Sequence, residues 1–263
     1  RGIKTHHDQW NSVAEEFLDE TREINEARLL QMNDYNPQLL NEANRQSWSI
    51  YQSDLRRRLA SDEFRHHKFV THQYRGPHTK AASNLINVHT VSDLADASAY
   101  IGRLNNIGRW FDQVIEQLRI RQEKNFLLAD WQYPQMIEAS GNIISGAPFD
   151  GGDEDSVLWA DFQAKIAKLD IADSQRSALL ADAKKAMLNV VGPAYRRLIA
   201  ELEKQAAIAP DADGVWKFDR GEHFYRNFLR SKFHMFPQYS FFFLIEYPKL
   251  EVFQFLEGID PQR

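Results

Sequence analysis

The sequence predicts an all-α protein, an irregular array of long amphipathic helices with few or no strands. Three observations carry that expectation. Between Ser92 and about Lys124, apolar residues fall at Leu94, Ala97, Ile101, Leu104, Ile107, Phe111, Val114, Ile115 and Leu118. Steps of three and four place them in one stripe along a helix. Further runs with this period follow one another from about residue 12 to 232, separated by clusters of Asn, Asp, Gly and Pro. The chain is also large enough: 263 residues, 43% apolar, suffice for one large helical domain or two small ones with a real core. We assign 1–232 to a helical domain and 233–263 to a Phe-rich tail.

Taken in order, residues 1–8 are polar and read as a frayed end or tag remnant. A first helix is expected over Ser12–Met32, with Val13, Phe17, Ile24 and Ala27 on one face. Asn33-Asp34-Tyr35-Asn36-Pro37 ends it, because Asn and Asp favour turns and a proline disfavours helix at the residue before it. A second helix, from Pro37 to about Ala60, can start with proline at its first position. Its Arg56, Arg57 and Arg58 fan round the axis as a solvated face. Phe64–His89 changes character. It holds five of the nine histidines, and Gly76-Pro77 forces a turn. It reads as an irregular connection or a short strand before a loop, and long connections of this kind are often functional.

The central helix follows, with N-cap oxygens at Ser92 and Asp93. At ~1.5 Å per residue it makes a rod on the order of 45 Å long, one wall that other helices must cover. A helix over Trp131–Ile144 and a loop over 146–155 come next. A helix over Ser156–Leu169 follows, then one capped by Ser174 that Gly192-Pro193 kinks or restarts before it runs on to about Ala207. Pro210–Phe218 reads as a turn and a short extended piece. Asp219 and Glu222, at capping-box spacing, would open a last helix with Phe224, Tyr225, Phe228 and Leu229. Residues 236–263 hold six of the 17 phenylalanines, and the window Tyr239–Ile245 is β-prone and uncharged. Such a window must be buried by its own domain, a partner or further sequence.

Composition excludes several chemistries. With no cysteine, disulfides, thiolate metal sites and cysteine nucleophiles are ruled out. A dispersed net charge of −5 gives no case for nucleic acid. No apolar run approaches the ~18 residues of a membrane span. Gly-x-Ser-x-Gly, Gly-x-x-x-x-Gly-Lys and Gly-x-Gly-x-x-Gly are absent, as is the His-Glu-x-x-His of zinc peptidases. No catalytic residue or metal ligand is therefore assigned. The six tryptophans sit on or beside apolar stripes and read as core. Asp150, Asp153, Glu154 and Asp155 lack the EF-hand pattern and read as a solvated linker.

The richest stretch is the histidine segment, and three readings of it stand open. His67, His72 and His78 could bind Zn²⁺ or Ni²⁺, though no regular element fixes their spacing. They could instead be surface or carbonyl-bonded histidines. Alternatively, His72, Gln73, Arg75 and His78 line a substrate cleft, where Arg75 offers a planar two-point donor to a carboxylate.

Three stretches together resemble a known family. One is Phe69–Thr79, where His72-Gln73 and Gly76-Pro77-His78 are similar to an Asn-Gln followed by Gly and His; His72 stands where the family usually has Asn. Another is the central block, Val91-Ser92-Asp93-Leu94, Tyr100–Leu104 and Phe111–Ile115, continuing to Ala147-Pro148-Phe149. The last is Val191–Leu198, then Asp213–Trp216 and Phe224-Tyr225. Over roughly residues 10–232 the order of these motifs resembles bacterial domain of unknown function eight hundred and eighty-five, a family of secreted, often lipid-anchored proteins.

The resemblance implies a largely α-helical relative of the gluzincin zinc peptidases. It also implies a periplasmic or extracellular location. The family's His-Glu-x-x-His helix and downstream Glu lie in a C-terminal half, and this chain is expected to end before that half begins. Zinc is thus implied for the full-length family and not for these residues. Two functions follow. One is the N-terminal, cleft-forming part of a secreted zinc-dependent hydrolase acting on peptides, with the missing C-terminal half as its partner. The other is a non-catalytic helical module that docks to a partner or a second copy through its Phe-rich tail.

Overall fold

The computed structural model describes residues 4–211 and 214–232. They form α1 (Glu15–Asn33), α2 (Glu42–Asp62), α3 (Pro77–Asn87), α4 (Leu94–Glu123), α5 (Tyr133–Ile143), α6 (Val157–Ala167), α7 (Asp173–Ala186), α8 (Gly192–Ala206) and α9 (Gly221–Lys232). Short 3₁₀ turns lie at Pro37–Leu39, Arg65–His67, Asp130–Gln132 and Val215–Lys217. Among the described residues the only β pairing is two isolated bridges. The fold is mainly α, as the periodicity predicts.

The chain forms two compact units. Among the described residues, one comprises Lys4–Glu23 with His66–Gly214; the other comprises Ile24–Arg65 with Val215–Lys232. The first unit is built on α4. Asp93 caps it by accepting the Asp96 N–H at 2.8 Å. Its stripe, from Ala97 through Leu104, Ile107, Phe111 and Val114, is fully buried, whereas Leu94 at its mouth is 38% exposed. Each of its Leu, Ile, Phe and Val side chains removed from water contributes about 1.5–3 kcal/mol. Helices α3, α5, α6, α7 and α8 supply the covering side chains, among them Leu85, Met136, Phe162, Ala186 and Tyr195.

Helices α7 and α8 are joined without a break by one π turn, Met187–Val191. Pro193 lacks an N–H and would crowd the carbonyl four residues back. The backbone widens just before it, and the Gly192 N–H reaches the Met187 carbonyl, five residues away. Facing this turn, a Cβ on Gly108 of α4 would come within 3.1 Å of the Val190 side chain, so the two helices approach closely here.

In the second unit, α2 is capped by Asn41 and buries Leu55. The α2–α9 pair is held by Asn227, whose amide donates to the Ala60 carbonyl at 2.8 Å. An Arg220–Glu63 ion pair of 2.7 Å and a tilted Phe64–Phe224 contact join them. Trp48 donates to the Met32 carbonyl, tying α2 to α1.

Several local expectations are corrected. Phe64–His89 is not an irregular connection throughout: Pro77 occupies the first turn of α3, and Ala81, Ala82 and Leu85 bury one face of it. Pro37 starts only a 3₁₀ turn, and α2 waits for the Asn41 cap. The cap position of α7 is Ala172, not Ser174; the Gln175 side chain accepts the Ala172 N–H instead. Val215–Lys217 is a helical turn and not extended. α9 begins at Gly221 after Arg220, which has positive φ, so Asp219 does not occupy the cap position. Phe17 and Ile24 are exposed on α1, at 43% and 49%. Trp131 and Trp216 are exposed too, so core packing does not account for them. The residues around His7 are not frayed, as shown below. The tail window 239–245 lies outside the described residues.

Candidate functional site

The turn before α3 is built from its own backbone. The His72 N–H donates to the Arg75 carbonyl at 3.2 Å and the Arg75 N–H to the His72 carbonyl at 3.1 Å. The Tyr74 N–H donates to His72 Nδ1 at 3.3 Å, fixing the imidazole against its own turn. The chain then passes Gly76, where an added Cβ would overlap the Thr71 side chain. A hydrogen would fit there, a methyl would not. Thr71 is buried, and its Oγ1 lies 2.7 Å from His78 Nδ1 and 3.5 Å from Met136 Sδ.

His78, in the first turn of α3, is 1% exposed. Its backbone carbonyl accepts from Tyr195 Oη of α8 at 3.0 Å, and Phe111 of α4 meets the Tyr195 ring edge-on. The turn is therefore anchored through His78 to the centre of the first unit. Burial, with the nearby His72 adding to it, pulls His78 down to about 4. At neutral pH it is an uncharged imidazole whose Nε2 is buried and has no hydrogen-bond partner. Partial burial first, and Arg75 second, also lower His72.

The four predicted cleft residues thus occupy one short segment but not one surface. His72 and Gln73 are half-buried, Arg75 is exposed, and His78 lies beneath them. His67, one of the histidines considered for metal, instead packs its ring 4.2 Å from Phe126. Among the described residues, no group of three or more His, Asp or Glu side chains is arranged to hold a metal ion. In the 146–155 loop, the Asp150 carboxylate accepts the N–H groups of Gly146 and Gly152. Those bonds keep it below the usual carboxylate range. Its oxygens shape the loop.

Two polar constellations had no counterpart in the sequence reading. Glu15 Oε1 accepts from Gln117 at 2.8 Å and lies 3.0 Å from His66 Nε2, joining α1, α4 and the segment before α3. At the other end of α4, His7 stacks on His89 beside Asp96. Neither has a spacing signal, because the partners come from distant parts of the chain. A third feature is an open groove between α4 and α8. Two ion pairs cross it, Arg119–Glu201 at 2.9 Å and Arg197–Asp112 at 2.7 Å.

Residues 1–235 match the family described as bacterial proteins of unknown function, DUF885. The chain belongs to the DUF885 family. No curated protein matches it significantly. A solved structure, "the putative lipoprotein from Colwellia psychrerythraea", matches with a TM-score of 0.73 at 16% identity. That alignment covers 85% of this DUF885 chain and 39% of the neighbour, so the chain spans well under half of the longer protein. At that identity the likeness establishes the shared helical fold. Among the described residues, no helix of this DUF885 protein is long and apolar enough to cross a membrane.

Proposed function

We propose that this chain is the N-terminal, cleft-forming part of a secreted zinc-dependent hydrolase acting on peptides. The supporting observation is that a DUF885 match over residues 1–235 falls on a chain spanning 39% of a larger protein of the same fold. The remainder of such a protein has room for the metal helix that the family resemblance implies. The neighbour's description as a lipoprotein supports a periplasmic or extracellular place, with or without a lipid anchor.

On this reading zinc, held by the C-terminal half, supplies a Lewis acid and an activated water to the whole enzyme. The residues here bind and orient. Arg75, exposed at the tip of the turn, takes a substrate carboxylate by two parallel hydrogen bonds. His72 and Gln73 flank that carboxylate. His78 touches no substrate; it fixes the turn through Thr71 and Tyr195 and is a positioning residue.

The test uses the full-length protein from the same reading frame. We expect a His-Glu-x-x-His beyond Arg263, one zinc per full-length chain by elemental mass spectrometry, and none in the isolated 263 residues. Arg75→Ala should raise KM for peptides with a free C-terminal carboxylate and leave KM for their amides unchanged. Tight stoichiometric zinc in the 263-residue chain, or a reading frame without the motif, overturns the proposal.

A further inference from the structure

Residues 4–13 form an irregular strap laid along α4. Lys4 Nζ is 2.6 Å from Asp96 Oδ1 and 3.5 Å from Asp93. Asn106 donates to the Asp8 carbonyl, and Trp10 Nε1 donates to the Arg103 carbonyl at 2.9 Å. The Trp10 ring stacks on Trp110 with centroids 5.0 Å apart. The Val13 N–H donates to Gln113. The strap passes so near α4 that a Cβ on Gly102 would lie 2.7 Å from that of Asp8.

At its centre the His7 ring lies flat on the His89 ring, 4.3 Å away and 4° from parallel. His89 is 1% exposed and meets Tyr100 edge-on. Its Nε2 lies 3.0 Å from the Asp96 carbonyl, so that nitrogen carries the hydrogen. The Nδ1 atoms of both His89 and His7 are buried without a hydrogen-bond partner.

We propose that the strap is an acid-released latch, detached when His89, buried beneath the stacked His7 ring, takes up a proton while the helical body stays folded. The surrounding charges decide the direction. The strap brings Lys4 and Asp8. Helix α4 brings Asp93, Asp96, Tyr100 and Arg103, and α6 brings Asp161 and Lys165. His7 Nδ1 lies 3.9 Å from the Asp96 carboxylate. A proton on His89 is not tolerated: its ring is buried flat against the His7 imidazole, with Arg103 and Lys165 also nearby. Asp161 does not offset them, since it is already paired with Lys165 at 2.8 Å.

Burial foremost, with those cations adding to it, pulls His89 from 6.5 down to about 4. A folded value below the free one means that the neutral form holds the strap. Attachment is complete above about pH 6.5 and weakens as pH falls toward 4. Each proton taken up on release shifts the equilibrium about tenfold per pH unit. Asp96 stays ionised through this window, since Lys4 holds it below the usual carboxylate range, so the Lys4–Asp96 pair opposes release and is not its trigger.

Because the chain contains no cysteine, Thr5→Cys gives one labelling site on the exposed part of the strap. In the otherwise intact chain, fluorophore anisotropy should drop reversibly between pH 6.5 and 4 with unchanged far-UV circular dichroism. His89→Phe, which keeps a ring in the stack, and His89→Gln, which keeps a donor for the Asp96 carbonyl, do not titrate and should each flatten the drop. The latch is overturned by constant anisotropy down to pH 4. A drop that coincides with loss of helix overturns it too, as does an unchanged profile in His89→Gln.

Discussion

Tyr195 of α8 donates its phenolic hydrogen to the carbonyl of His78 at the head of α3, across 3.0 Å and wholly out of water. This bond joins the turn that presents Arg75 to the helix that packs against α4. Removing the hydroxyl leaves the ring packed against Phe111 but deletes the tie. Tyr195→Phe is expected to lose about 1 kcal/mol, read as a lower urea midpoint with an unchanged slope.

Gly76→Ala should cost more. The new methyl would overlap the Thr71 side chain and come within 2.8 Å of its Cα, and buried Thr71 cannot swing away without breaking its bond to His78. A loss of about 1–3 kcal/mol is expected. Thr71→Ser, which keeps the hydroxyl, should cost less than Gly76→Ala in the same urea titration. Equal stability of Gly76→Ala and the parent chain would contradict the packing described.

The buried histidines set a pH dependence. His78 stays neutral in the folded chain down to about 4, whereas its ordinary value is 6.5. Between those values the unfolded chain binds the proton and the folded chain does not, so stability falls as pH drops from 6.5 toward 4. For one such group the loss by pH 4.5 is roughly 2 kcal/mol. His89 acts in the same sense and the same window. His78→Gln should therefore reduce, but not abolish, the difference in unfolding free energy between pH 7 and pH 4.5.

Across the α4–α8 groove, Arg119 is half-exposed while its partner Glu201 is buried. Exposed pairs contribute little, but removing Arg119 leaves a buried carboxylate uncompensated. Arg119→Ala should cost roughly 1 kcal/mol at low salt. Glu201→Gln, which removes the charge that needs a partner, should cost less.

How much of this was readable depended on whether the signal was local. α4 was legible end to end, because thirty residues of one period and the Asp93 cap are written in consecutive positions. The histidine segment was legible as a place but not as a structure. Its Gly-Pro pair reads equally as a turn or as a helix start, and only the burial of Ala81, Ala82 and Leu85 decides for α3. His78 was marked for a surface it does not reach. The stacking of His7 on His89 left no trace, since the two are brought together by the course of the strap.

The π turn between α7 and α8 has a consequence for insertions and deletions. Buried positions there run Ala183, Met187, Val191 and Tyr195, three successive steps of four. A regular α-helix would carry such a series about 40° out of phase at each step, and the widened turn absorbs part of that drift. Excising one residue from Met187–Val191 would restore regular pairing yet rotate everything beyond it by about 100°. Tyr195, Leu198 and Leu202 would then swing off the core together. A change of one residue here should be far more damaging than the same change in the 146–155 loop, although the helix itself would lose no hydrogen bond.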